Sequence, residues 1–160
     1  AEGENGTAYY QAFKKAEVEE KKKAIASKAI PYLKDASEKE TANLELKTAL
    51  ADCYVNTSDN PMQGIALLRE VMAKDSTNEN ALFLLGQFAE RSGQMDKAVQ
   101  RFQSLVRHYP GNIKYSLYLA QLFSAQGAHD RALETLTQAK KYANRKTATD
   151  SINNSIQHLK

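Results

Sequence analysis

In "ALFLLGQFAERSGQMDKAVQRFQSLVRHYPGN", residues 81–112, apolar positions recur at helical spacing and break at fixed points. Leu82, Leu85 and Ala89 share one face of a helix. Gly93 ends it, because glycine takes the left-handed conformation of a helix C-terminus without a Cβ clash. Asp96 then stands in the first turn of a second helix, where its charge suits the helix dipole. Ala98, Phe102 and Leu105 form the inner face of that helix, and Pro110-Gly111-Asn112 stops it. Gly86 and Ala98 are small where two antiparallel helices must approach closely. The pattern predicts a helical hairpin built to stack on others.

Displaced by 34 positions, the chain matches itself. Gly93 falls on Gly127, Ala98 on Ala132 and Gly64, Leu85 on Leu119 and Ala51, and Phe102 on Leu136 and Leu68. Asn112 falls back on Asn78. A fixed period of about 20–50 residues marks a stacked repeat. Strand-type alternation of Val, Ile and Thr is absent, and Ala, Leu, Lys, Glu and Gln favour helix, so the chain is expected to be all-α.

Residues 1–9, beginning "AEGENG", are expected to be a flexible lead-in, followed by repeats at about 10–44, 45–78, 79–112 and 113–146. Turns within the hairpins are expected near 22–26, 57–61, 91–95 and 125–129. The turn Asp59-Asn60-Pro61 has a good N-cap in Asn60 and a good first helical residue in Pro61. In the first repeat Phe13 and Ala16 fit the first helix, and Ala29, Leu33 and Ala36 the second. Pro31 is placed near that second helix's start, where a missing N–H costs least. One kinked helix over 7–38 is the alternative. In 147–160, Ile152, Ile156 and Leu159 lie on one face opposite Asn, Gln, Ser and Lys, the pattern of a capping helix.

Composition narrows the function. The 160 residues are 42% hydrophobic and 26% charged, the balance of one globular domain with a real core. A net charge of +3 is too small to argue for nucleic acid, although residues 113–160 hold seven basic side chains against three acidic ones. No stretch is long and apolar enough to span a membrane. Cys53, the single cysteine, cannot form an intrachain disulfide. His108, His129 and His158 have no partner at metal-ligand spacing, the glycines form no phosphate-binding loop, and no carboxylate pair suggests acid–base work. No catalytic residue, metal or cofactor is expected.

The stretch Leu82-x2-Leu85-Gly86-x2-Ala89, then Ala98-x3-Phe102, then Pro110, resembles the tetratricopeptide repeat pattern W-x2-L-G-x2-Y, A-x3-F, P. Leu replaces the Trp, and Ala replaces the Tyr. The next repeat reads Ser116-x2-Leu119-Ala120-x2-Phe123, Ala132-x3-Leu136, with Asn144 where Pro is expected. The resemblance implies an α-α superhelix of about four stacked hairpins with a C-terminal capping helix.

The first helices of such a stack line a concave groove. The resemblance places Asn80, Phe83, Gln87 and Arg91 of the third repeat in it, with Lys114, Leu117 and Gln121 of the fourth. In the second repeat it places Leu46, Ala49, Cys53, Asn56 and Thr57 there. It implies a non-catalytic scaffold or adaptor holding a peptide or partner protein. An RNA-binding helical repeat and a self-association module are the alternatives, although no nucleic acid is expected. The family's carboxylate-clamp positions hold one cation, Lys114, among Ala49, Cys53, Leu84 and Tyr118, so this is not expected to be a clamp. The resemblance extends to bacterial proteins anchored to the envelope by a segment that would precede Ala1. It implies a periplasm-facing envelope location and membrane contact only through such an anchor, with the cytoplasm as the alternative.

Overall fold

The computed structural model describes residues 2–15, 19–57, 60–143 and 146–160. Ala16, Asp59 and Asn144 lie outside the described residues, as does the side chain of Phe13. Among the described residues the chain is all helix and turn. The helices are α1 (Glu2–Lys15), α2 (Glu19–Lys39), α3 (Leu44–Asn56), α4 (Pro61–Lys74), α5 (Glu79–Arg91), α6 (Met95–His108), α7 (Ile113–Ala125), α8 (His129–Ala139) and α9 (Lys146–Leu159), with a 3-10 turn at Lys140–Tyr142. Two compact units divide within α5, at residues 1–84 and 85–160.

In the first unit α1 packs on α2 and α3, α2 on α3, and α3 on α4. Ala26, Ala29 and Leu33 meet Ala49, Leu50 and Cys53 in its core, with Tyr10, Ile25 and Tyr54 packed against them. Asn43 caps α3 by accepting from the Leu46 amide at 3.2 Å, and Asn78 caps α5 by accepting from the Ala81 amide at 3.0 Å. Pro61 opens α4, while Asn60 holds the N-cap position without a side-chain bond to the helix end.

Two expectations fail in this unit. Residues 2–9 are helical within α1, not a flexible lead-in. Tertiary contacts override the local signal: Gly6 lies so close to α2 that a Cβ there would stand 3.2 Å from Leu33, and Tyr9 stacks on Tyr32 at 5.9 Å. The Tyr10 hydroxyl also donates to Asp52 Oδ2 of α3 at 2.7 Å. The expected turn at 22–26 is absent, because α2 runs unbroken through it. "EEKKKAIASKAI" has strong helix formers and no glycine, and Glu19 and Glu20 suit the first turn. Pro31 therefore lies in the helix interior, on its exposed side, rather than near its start.

In the second unit α7 packs on α6, α8 and α9, and α8 on α9. Phe102, Leu105, Leu136 and Ile152 are fully buried. Gly93 and Gly127 take φ of 75° and 77°, and they close the α5 and α7 C-termini. The amides of Gln94 and Ala128 reach back to the carbonyls of Ala89 and Phe123, each at 2.8 Å. The side chain of Gln126 donates to Asp96 at 3.2 Å, tying the turn after α7 to the start of α6. Ile152 and Ile156 face inward on α9, whose opposite side is polar, as a capping helix requires.

Candidate peptide-binding surface

Helical geometry sets the candidate side chains in two stripes. Asn80, Phe83, Gln87 and Arg91 follow the i, i+3, i+7, i+11 spacing along α5. Asn80 and Arg91 are exposed, Phe83 and Gln87 half-buried. Lys114, Leu117 and Gln121 repeat the spacing on α7, with Lys114 and Gln121 exposed and Leu117 half-buried.

Within the second unit, Leu117 and Gln121 line a cleft of about 320 Å³ with Ala120 and Ser124 of α7. Leu136 of α8 contributes to its lining, and Asn154, Ser155, His158 and Leu159 of α9 form the far wall. Amide and hydroxyl groups thus surround a small apolar centre, an arrangement that hydrogen-bonds a peptide backbone while seating one apolar side chain. Lys114 lies outside the lining, with its ammonium 5.5 Å from the Tyr115 ring centroid.

Tyr118 of α7 reaches both α6 and α5. Tyr118 stacks on Phe102 with ring centroids 4.1 Å apart. Burial first, and then its hydrogen bond to Glu90, push the Tyr118 hydroxyl pKa up to about 12, while Arg91 works in the opposite sense. Gln87 and Arg91 therefore flank a structured contact on α5.

The second repeat departs from the expected lining. Ala49, Cys53 and Thr57 are buried, and α2 covers the face on which Ala49 and Cys53 lie. Burial first, and then the neighbouring Asp52 charge, push the Cys53 thiol up to about 12. The α9 wall was not among the expected groove residues, because 147–160 was expected only as a capping helix. The signal was present: α9 begins 33 residues after α7, close to the 34-residue period, so it takes the place of another first helix.

Among the described residues no group of three His, Cys, Asp or Glu side chains could hold a metal ion, and no helix is long and apolar enough to cross a membrane.

No curated protein has a matching sequence. A solved structure of MamA superposes with a TM-score of 0.69 at 20% identity, over 90% of this chain and 83% of that one. A MamA RS-1 ArsTM double mutant gives 0.64 at 13% identity, over 99% and 96%. PilF of Pseudomonas aeruginosa gives 0.71 at 19% identity, over 99% of this chain and 68% of that one. Likeness at these identities shows the fold, a helical repeat, and nothing of the ligand. The tetratricopeptide repeat profile matches residues 58–116 and 89–148, which together cover more than half of the 160 residues. The chain belongs to the tetratricopeptide repeat family.

Proposed function

We propose that the protein is a non-catalytic scaffold that holds an extended peptide or partner protein along the first helices of its hairpins. The tetratricopeptide repeat is a protein-interaction scaffold, and membership of that family supports the reading. The observation that carries it is the α7–α9 cleft, where the half-buried Leu117 lies among unlike polar groups, Gln121, Ser124, Asn154 and Ser155. Amides can bond a peptide main chain, and Leu117 supplies an apolar contact. On α5 stand an aromatic side chain, Phe83, and a guanidinium, Arg91, the residue types that dominate binding hot spots.

The test begins with an immobilised peptide array, from which the tightest binder is titrated calorimetrically. Phe83→Ala with Arg91→Ala is expected to weaken binding by about 2–4 kcal/mol with the helical circular dichroism unchanged. Leu117→Ala with Gln121→Ala is expected to act in the same direction. Lys97→Ala with Arg101→Ala, on α6, is expected to matter little. Loss of binding in the α6 pair alone would place the working surface elsewhere.

A further inference from the structure

A different face of α7 floors a larger cavity in the second unit, about 500 Å³, between the second helices α6 and α8. Leu119 and Phe123 form its apolar floor, Arg107 stands on the α6 side, and Arg131 and Glu134 stand on the α8 side. Tyr142 lies at its edge with 47% of its surface exposed. The Arg131 guanidinium sits 5.1 Å from the Phe123 ring centroid, which holds it over the floor. Among the described residues neither Arg107 nor Arg131 has a carboxylate within ion-pair distance or a side-chain hydrogen bond.

The repeat supplies a comparison within the chain. Two periods earlier, Gln63 and Glu70 of α4 occupy the positions of Arg131 and Gln138. They line a cavity of about 270 Å³ between α2 and α4, together with Lys34 and Glu38. There Glu70 is already paired with Lys47, 3.4 Å away. Hairpin stacking thus leaves a hollow between second helices in both units, and only the second unit's copy carries two unpaired guanidiniums.

We propose that the α6–α8 cleft is a second docking site, separate from the α7–α9 face, for an acidic peptide segment carrying an apolar side chain. The two guanidiniums offer forked donors to Glu or Asp carboxylates. The Phe123 and Leu119 floor receives the apolar side chain, and Tyr142 borders it. Glu134 in the wall disfavours a phosphodiester chain, which would bring negative charge at every step, whereas a peptide can turn a backbone amide toward it.

The probe is a fluorescein-labelled 12-residue peptide of alternating Glu and Leu with a central Phe, followed by fluorescence anisotropy at low salt. Native protein is expected to bind it saturably, and binding should weaken as salt rises. Arg131→Glu and Arg107→Glu each change an exposed side chain, and each is expected to lower affinity roughly tenfold or more. Leu117→Ala with Gln121→Ala is expected to leave this binding unchanged, so failure here and failure of the α7–α9 reading remain distinguishable. Circular dichroism confirms that each variant is folded. The proposal is overturned if native protein shows no saturable binding or if both charge reversals bind as tightly as native protein. Equal affinity for a peptide with Gln in place of Glu, or equal displacement by a 12-nucleotide poly(U) RNA, also overturns it.

Discussion

The hairpin of α3 and α4 and the contact between α5 and α6 meet the same demand for close approach from opposite sides. In the first, the small residue is on the second helix. A Cβ on Gly64 would stand 2.6 Å from Val55 Cγ2 and 2.7 Å from the Ala51 carbonyl oxygen. In the other, the small residue is on the first helix. A Cβ on Gly86 would stand 2.6 Å from Cε2 of Phe102 and 3.3 Å from Arg101 Cβ. The repeat position of Gly86 holds Asp52 one period earlier, and that of Gly64 holds Ala98 one period later. Each of these two crossings therefore has one glycine, and either helix can supply it. The difference lies in what the glycine faces: a backbone carbonyl in one case and an aromatic ring in the other.

The largest break in the comparison comes from removing the ring. Phe102 is fully buried and stacked on Tyr118, and Leu68 is fully buried at the matching position of the earlier repeat. Phe102→Ala is expected to cost about 3–5 kcal/mol and Leu68→Ala about 2–5 kcal/mol, as transfer and cavity terms add. Urea unfolding measures both. A cost below about 1 kcal/mol at either position would show that the site collapses around the loss and is not a close-packed crossing.

Adding a methyl is the next test, and its sign is informative. On an exposed helix Gly→Ala stabilises by about 1 kcal/mol. At Gly64 and Gly86 it is expected to destabilise by about 1–3 kcal/mol, because the added carbon overlaps its neighbours. Gly64→Ala is expected to cost more, since the Ala51 carbonyl belongs to a helix backbone and cannot rotate away. A rise in Tm for either variant would mean that the helices are farther apart than this geometry.

The same contrast explains how much was legible in the sequence. Gly93, Gly127, Ala98 and Phe102 act within one hairpin or between adjacent ones, and their spacing carries the architecture of residues 79–146 directly. The helix over 2–9 was not legible, because Gly3 and Gly6 read locally as breakers. What orders that segment is Leu33, Tyr32 and Asp52, which sequence reading cannot bring to it. The turn expected at 22–26 failed for the converse reason: a run of helix formers with no glycine gives no place to stop. In the candidate site, the stripes on α5 and α7 follow from the resemblance to the repeat family, and helical spacing sets each on one face. Their depth does not, since Cys53 is closed off by α2 and the cleft at Leu117 owes a wall to α9. The α6–α8 cleft left no sequence signal beyond a mildly basic C-terminal third, because its lining comes from three helices.

The smallest effects sharpen a second likeness between the units, a tyrosine hydroxyl bound to a carboxylate on a neighbouring first helix. In the first unit Tyr10 of α1 donates to the buried Asp52 of α3, which also accepts from the side chain of Asn56. In the second, Tyr118 of α7 is bonded to Glu90 of α5. Tyr10→Phe is expected to cost about 0.5–1.5 kcal/mol at neutral pH, because Asn56 still satisfies part of the carboxylate. The pH dependence separates this from a packing effect. Burial first, and then the Asp52 charge, raise the Tyr10 hydroxyl well above its ordinary value of 10, so it stays protonated in the folded protein where the unfolded chain ionises. Above pH 10 the unfolded state therefore binds fewer protons, and stability falls as pH rises. Tyr118 has the same sign, with its contribution present below pH 10 and lost between pH 10 and about 12. Cys53 adds a loss between its ordinary value of 9 and about 12 in every variant that retains it. The measurement is a series of thermal melts from pH 8 to 11 on native protein, Tyr10→Phe and Tyr118→Phe. Each Phe variant should start less stable than native protein and lose less on going to pH 11, so that the curves converge. Parallel curves would mean that the hydroxyl titrates alike in folded and unfolded chains, and the tyrosine–carboxylate bond would then contribute nothing to holding the first helices together.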